Sequence, residues 1–179
     1  MTNPYILTAG GRHFDLLDPR PEQVDIDDIA SALSKLCRFT GHTSDFYTVG
    51  QHCLHVMTLV PEHLRLQALL HDADEAYTGD HSTPQKIALG PAWQAFSQPI
   101  QAAVRARFGL PATLDPEVKR ADILALGIER ANFMPADSEE WPVLVGVDIP
   151  DVVLRPLPHY LVKEMFLGAF HELTAGQFK

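Results

Sequence analysis

The most informative residues in this sequence are His71, Asp72 and Glu75, because they end an otherwise apolar segment with three polar groups. On a helix of about 100° per residue, Glu75 lies about 40° from His71, with Asp72 about 100° away on the flank. Imidazole and carboxylate together suit a divalent transition metal, and a neighbouring glutamate can take a proton from a bound water. The alternative is a helix end that turns to solvent, and the cost of an unpaired charge beside apolar residues counts against it.

A metal needs further ligands, and His52 and Asp122 are the best candidates because each lies on the apolar stripe of its own predicted helix. Three helices would then converge on one ion. His55 competes with His52 as the second member of an i, i+3 pair, and either is alternatively a core histidine. Asp122 alone is more typical of a solvated or salt-bridged residue. Glu129, seven residues after Asp122, could orient a ligand or tie helices together, and we prefer the structural role.

Apolar periodicity predicts six or seven helices and almost no strand, which makes the chain an all-α bundle. Residues 1–24 form an irregular arm or small hairpin, residues 25–134 the helical core with the metal site, and residues 135–179 an irregular segment followed by a last helix. Within the core, one helix is predicted from Glu62 to about Tyr77. Thr48 and Asp115 are the predicted N-caps of the helices that carry His52 and Asp122.

Composition limits the class of protein further. The 179 residues, 46% of them hydrophobic and 21% charged, predict one globular domain. The net charge of -9 argues against a nucleic-acid polymer and against an anionic membrane surface as partners. Cys37 and Cys53 form no Cys-x-x-Cys pair, and no apolar run approaches the roughly 18 residues of a membrane span. We therefore expect a soluble protein of the reducing cytoplasm.

The order of His52, His71-Asp72 and Asp122 resembles the H...HD...D signature of the HD-domain metal-dependent phosphohydrolases, an all-α superfamily. Bacterial HD-type 5'-deoxynucleotidases contain a series similar to LLHDADEAYTGDHSTPQK (residues 69–86). Short HD phosphohydrolases of bacteriophages and prophages, which include dATP triphosphohydrolases, are similar to GRHFDLLDPRP and ALSKLCRFTGHTSDFYTVGQH. The resemblance covers nearly the whole chain, although residues 90–111 and those after 135 match only in outline.

The resemblance implies a role for each residue that matches these motifs. It places Glu75 beside the attacking water and Asp80 near the sugar or a second metal ion. Phe39 stands where relatives have a tryptophan that walls the nucleotide pocket, which leaves the base preference open. The implied metal ligands are His52, His71, Asp72 and Asp122, and the implied contacts to substrate phosphates are Arg38, Lys86 and Lys119.

A hydrolase of 2'-deoxynucleotides that uses manganese, iron, cobalt or zinc is the function this resemblance implies. Three cations suit a polyphosphate better than a monophosphate, so we prefer the release of triphosphate from a deoxynucleoside triphosphate such as dATP. One alternative is a 5'-deoxynucleotidase that acts on monophosphates. Another is a non-catalytic HD module that binds a nucleotide. Because the relatives are often dimers or larger rings, we expect a homo-oligomer.

Overall fold

The computed structural model describes residues 4–175, and eight α-helices together with four short 3-10 turns make up more than half of them. This confirms the all-α class, with one or two helices more than the periodicity predicts. The helices are α1 (Ile26–Leu33), α2 (Val49–Thr58), α3 (Arg65–Leu69), α4 (Glu75–Thr78), α5 (Thr83–Leu89), α6 (Pro91–Arg107), α7 (Pro116–Phe133) and α8 (His159–Leu173). Short 3-10 turns lie at Pro21–Gln23, Arg38–Gly41, Glu62–Leu64 and Pro142–Leu144.

The N-terminal arm contains a small hairpin, which is one of the two structures that the sequence predicts for it. Strand β1 (Tyr5–Leu7) pairs antiparallel with β2 (His13–Asp15). Phe14 is fully buried and stacks on Tyr77 of α4 with ring centroids 3.8 Å apart. Arg12 pairs with Asp25 at 2.8 Å and with Asp28 at 3.1 Å, which fastens the hairpin to the start of α1.

Helices α1, α2 and α8 enclose the larger apolar core. Ile29 and Leu33 of α1, together with Phe166 and Phe170 of α8, are buried without measurable exposure. Gly50 of α2 allows a close approach here, because a Cβ atom at that position would lie 3.2 Å from the Leu33 carbonyl group and 3.0 Å from Val162. This contact holds α2, the helix of His52, against both neighbours.

The prediction of one continuous helix from Glu62 to Tyr77 is wrong. The segment consists of a 3-10 turn, α3, a non-helical turn and α4. Hydrogen bonds from Ala73 N to Leu70 O and from Glu75 N to Asp72 O close this turn with i to i+3 spacing. The sequence has no glycine or proline there to mark the break. His71 and Asp72 therefore lie in a tight turn instead of on successive positions of an α-helix.

Helix α7 packs against α2 and brings Asp122 close to His52. Its cap is as predicted, since the Asp115 side chain accepts a hydrogen bond from Glu117 N. The buried side chains Val118, Ala121 and Ala125 belong to a second apolar cluster with Val56 of α2. Because Ala121 faces this cluster, Asp122 lies at the edge of the contact between the two helices.

Residues 135–156 are irregular apart from the 3-10 turn at Pro142–Leu144, as predicted, and side-chain amides hold part of their backbone in place. Asn132 of α7 donates to Val152 O and accepts from Leu154 N, while Gln51 of α2 donates to Arg155 O and accepts from Leu157 N. Among residues 4–175, no helix combines the length and apolar character needed to cross a bilayer.

Gly50→Ala should lower the free energy of unfolding by about 1 kcal/mol, the middle of the range that overpacking less helix propensity gives. Overpacking against the Leu33 backbone costs about 1–3 kcal/mol, which exceeds the helix-propensity gain of up to about 1 kcal/mol. Urea denaturation followed by circular dichroism measures the change. Gly168→Ala on α8 is the matched control, because a Cβ there meets nothing within 4 Å, and it should leave stability unchanged or raise it. Equal effects of the two substitutions would contradict the close packing of α2.

Candidate metal centre

Four side chains predicted as metal ligands converge at one point. His52 comes from α2, His71 and Asp72 from the turn before α4, and Asp122 from α7. His52 Nε2 lies 3.2 Å from His71 Nε2, 3.2 Å from Asp122 Oδ1 and 3.6 Å from Asp72 Oδ2. His71 Nε2 lies 3.1 Å from Asp72 Oδ2 and 3.8 Å from Asp122 Oδ1.

The three shortest of these distances, 3.1–3.2 Å, fit ligands of one cation, and the other two, 3.6 and 3.8 Å, are slightly longer. Ligand atoms about 2.0–2.2 Å from one ion lie roughly 3.0–3.5 Å from each other in tetrahedral or octahedral geometry. The two Nε2 atoms also face each other at 3.2 Å, so with both rings protonated on Nδ1 their lone pairs converge on a point where a cation would be stabilised. His52, His71 and Asp72 offer ligand atoms that all lie within 4.8 Å of one another, so this cluster could hold a metal ion.

The other ring nitrogen of each imidazole, Nδ1, contacts a hydrogen-bond acceptor. His71 Nδ1 donates to the Ala68 carbonyl at 2.8 Å, and His52 Nδ1 lies 2.7 Å from Glu129 Oε1. A proton on each Nδ1 leaves each Nε2 free to bind an ion, the usual second contact of metal-binding histidines. The sequence favours a structural role for Glu129, and the contact with His52 Nδ1 shows that this carboxylate also orients a residue of the cluster.

The structure also separates the two competing histidines of α2. His52 is fully buried and faces the cluster, whereas His55 has no ring nitrogen in it. His55 Nδ1 lies 3.9 Å from Glu129 Oε1, the oxygen that contacts His52 Nδ1. The i, i+3 spacing alone did not distinguish them, because both could have been core residues.

Glu75 is the first residue of α4 and is almost completely buried, with 5% of its surface exposed. Its Oε1 lies 3.4 Å from Lys86 Nζ, and its Oε2 makes no hydrogen bond within residues 4–175. Burial raises the pKa of Glu75 well above its usual range, and the nearby charges of Asp72 and Asp80 raise this pKa further. A carboxylate with a raised pKa suits proton transfer near neutral pH.

Arg38 is buried between two acids. Its Nη2 lies 3.1 Å from Glu129 Oε2, and its Nη1 lies 4.0 Å from Asp80 Oδ2. Burial opposes the charge of Arg38, but Glu129 and Asp80 more than compensate and raise its pKa above the usual value. The structure thus joins Arg38 and Asp80 beside the cluster, although 38 and 80 are far apart in the chain.

Phe39 adopts an unusual backbone conformation next to Arg38. Its φ angle is 53°, and that of Thr40 is 56°, both in the left-handed region that non-glycine residues seldom occupy. The Phe39 ring lies 5.2 Å from the Arg38 guanidinium and 6.1 Å from the ring of Trp141. Strain of this kind costs of order 1–3 kcal/mol per residue and is concentrated at functional sites.

Lys86 and Lys119 lie at the outer edge of the site. Lys119 Nζ pairs with Asp122 Oδ2 at 2.8 Å, and its side chain is 57% exposed. The Lys86 side chain is 38% exposed and lies over the ring of Trp93. Burial lowers the pKa of Lys86, but Glu75 and Asp72 outweigh this effect and raise it, so Lys86 remains charged. Both lysines are accessible to an anion from solvent.

Comparison with known proteins gives relatives that match along almost the full chain. No described family profile matches the sequence. The uncharacterized protein YfdR of Escherichia coli K12 is 37% identical over 171 residues, which cover 95% of this chain and 96% of YfdR. This chain belongs to the YfdR family. An uncharacterized protein of Rhodobacter capsulatus is also similar, with 39% identity over 185 residues, 91% of this chain and 92% of that relative.

In this member of the YfdR family, His52→Gln should weaken cobalt binding by at least about 100-fold. The substitution removes one imidazole of the cluster that could hold a metal ion, and loss of a group that only contacts a metal ligand already costs about 10–100-fold. Titration of the metal-free protein with cobalt(II), followed by visible absorption, measures the affinity. His55→Gln is the matched control on the same helix and should bind cobalt as the wild type does. Loss of binding in His55→Gln with retention in His52→Gln would reverse the assignment.

Proposed function

We propose that this protein is a metal-dependent phosphohydrolase of 2'-deoxynucleotides, of the HD-domain type. The observation that supports it most is the convergence of His52, His71, Asp72 and Asp122, with the nearby acid Glu75 and three cations around them. A hydrolase of phosphate esters needs all three kinds of group: a site for a metal, a proton acceptor and cationic partners for the phosphates. The preferred reaction converts a deoxynucleoside triphosphate and water into deoxynucleoside and triphosphate.

The donor set suits one divalent ion of manganese, iron, cobalt or zinc, since it mixes imidazole nitrogen with carboxylate oxygen. When bound, such an ion supplies Lewis acidity, which offsets phosphate charge and makes water a stronger acid. A second ion is less favoured, because Asp80 already faces the Arg38 guanidinium at 4.0 Å. Asp80 is better placed to accept a hydrogen bond from a sugar hydroxyl.

Glu75 is the proposed proton acceptor. Its Oε2 is free of hydrogen bonds to residues 4–175, whereas Lys86 restrains its Oε1. In this role Oε2 takes the proton of the attacking water, and Lys86 keeps the carboxylate oriented. Burial of Glu75 also keeps other water away from the proton that is being moved.

The cations favour a polyphosphate. Arg38 is fixed by Glu129 deep in the site, while Lys86 and Lys119 pair with Glu75 and Asp122 at its exposed edge. Each lysine ammonium carries three N–H donors, so Lys86 and Lys119 can contact a phosphate oxygen while they keep their carboxylate partners. A chain of three phosphates could then contact all three cations.

A 5'-deoxynucleotidase is the second candidate function. Both ends of the Arg38 guanidinium face acids, which leaves Lys86 as the cation beside Glu75. A single phosphate at that position would need no contact with Lys119. In this case the products are deoxynucleoside and orthophosphate.

Chromatography of the products distinguishes these functions. The purified protein is incubated with manganese, cobalt or zinc and with each of the four dNTPs and four dNMPs. We expect deoxynucleoside together with intact triphosphate, and the active substrate identifies the preferred base. Orthophosphate from monophosphates alone would instead establish the nucleotidase. Absence of turnover with every metal would contradict both reactions and favour a module that only binds nucleotides.

Glu75→Gln should lower turnover by about 10²-fold or more, the usual contribution of general acid–base catalysis, because an amide cannot take the proton. Its cobalt affinity should stay near that of the wild type, since Glu75 is not among the four proposed ligands. Steady-state kinetics on the best substrate, together with cobalt titration, measure both properties. Glu62→Gln, at an exposed position, is the control. Full activity of Glu75→Gln would remove Glu75 from the mechanism.

A further inference from the structure

We propose that Glu129 is a positioning residue that fixes the metal ligand His52 and the phosphate-binding cation Arg38 at the same time. The part that concerns His52 depends on the metal centre, and the part that concerns Arg38 rests on the proposed function. The site would then be set by one carboxylate on α7 that determines where both the ion and the substrate phosphate bind.

The contacts of Glu129 divide between its two oxygens. Oε1 lies 2.7 Å from His52 Nδ1 and accepts a hydrogen bond from the Tyr47 hydroxyl at 3.0 Å. Oε2 accepts from Arg38 Nη2 at 3.1 Å. Glu129 itself has no measurable exposure to solvent. A buried carboxylate with donors on both oxygens is held in one orientation and holds its partners in return.

The His52 contact determines which nitrogen of the ring can bind an ion. Because a carboxylate only accepts, the proton of a neutral His52 must lie on Nδ1. His52 Nε2 then presents its lone pair to His71, Asp72 and Asp122. Without Glu129, the proton can move to Nε2 and block the ligand position.

The Arg38 contact determines where the cation points. Arg38 follows a β-bridge residue, Cys37, and begins a 3-10 turn that contains two left-handed residues. Within residues 4–175, the Arg38 Nε makes no hydrogen bond, so its orientation depends on the Nη atoms. Nη2 is bound by Glu129, which leaves Nη1 directed toward Asp80 and the substrate side.

Glutamine at position 129 would separate the two roles. The glutamine carbonyl oxygen should replace Oε1, because the Tyr47 hydroxyl and His52 Nδ1 both donate there. The glutamine NH₂ group then faces the Arg38 guanidinium, and two donors cannot form a hydrogen bond with each other. The His52 contact survives in weakened form, whereas the Arg38 contact is lost. Alanine removes both contacts. A residue that only ties helices together would lower stability in both variants without this division.

The experiment uses the full-length protein and two probes. Cobalt(II) is titrated into the metal-free protein, with visible absorption as the signal, and inorganic triphosphate is then titrated calorimetrically into the cobalt-loaded protein. For Glu129→Gln, we expect the Kd for triphosphate to rise about tenfold or more, with a smaller rise in the Kd for cobalt. For Glu129→Ala, we expect the Kd for cobalt to rise about 10–100-fold. Glu117→Gln, the same change near the start of α7, should resemble the wild type in both titrations.

The outcomes separate the proposals. Circular dichroism and thermal melting first establish that each variant is folded, and the nearly isosteric Glu129→Gln is the variant that tests the proposal if Glu129→Ala does not fold. A folded Glu129→Gln with wild-type Kd values for both probes overturns the role of Glu129. Wild-type protein that binds cobalt but not triphosphate contradicts the proposed function and the Arg38 half of this proposal, while the cobalt titrations still decide the His52 half.

Discussion

The concentration of acids at one end of the bundle is the constraint on which the rest of the structure depends. Five carboxylates lie in or beside the cluster, namely Asp72, Glu75, Asp80, Asp122 and Glu129, against the cations Arg38, Lys86 and Lys119. Several of these groups are nearly or wholly buried, where an uncompensated charge is expensive. Each acid therefore faces an imidazole or a cation, and a bound divalent ion would balance part of the remaining negative charge.

The neighbouring groups give the carboxylates different acidities. Burial raises the pKa of both Asp72 and Glu75, but His71 and His52 reverse this effect at Asp72 and lower its pKa below the usual range. Asp72 thus stays ionised, as a metal ligand would need to be, while Glu75 holds a proton more readily. Two acids three positions apart are suited to different tasks because only one of them contacts the histidines.

The fold class and the caps were predictable because they depend on local spacing. Apolar periodicity revealed most helices, and the side chains of Thr48 and Asp115 accept the capping hydrogen bonds that their residue types predict. The break in the segment from Glu62 to Tyr77 was not predictable, since no glycine or proline marks it and the turn serves to bring His71 and Asp72 to the cluster. The contact between Glu129 and His52 joins residues 77 positions apart, so only the folded chain reveals it. The left-handed backbone conformation of Phe39 was likewise not predictable, because the residue at that position is not a glycine.

The stacking of Phe14 on Tyr77 gives the hairpin an importance beyond its size. Helix α4 has only four residues, Glu75–Thr78, and a helix this short is not stable by itself. Its position depends on α1 and on the hairpin, through the two stacked rings. We therefore expect the hairpin and α4 to open as one cooperative unit, with backbone amides that exchange with solvent at similar free energies although about 60 residues separate them in the chain. Loss of the hairpin would remove the Phe14 ring from Tyr77, which lies two positions after Glu75 in the same short helix.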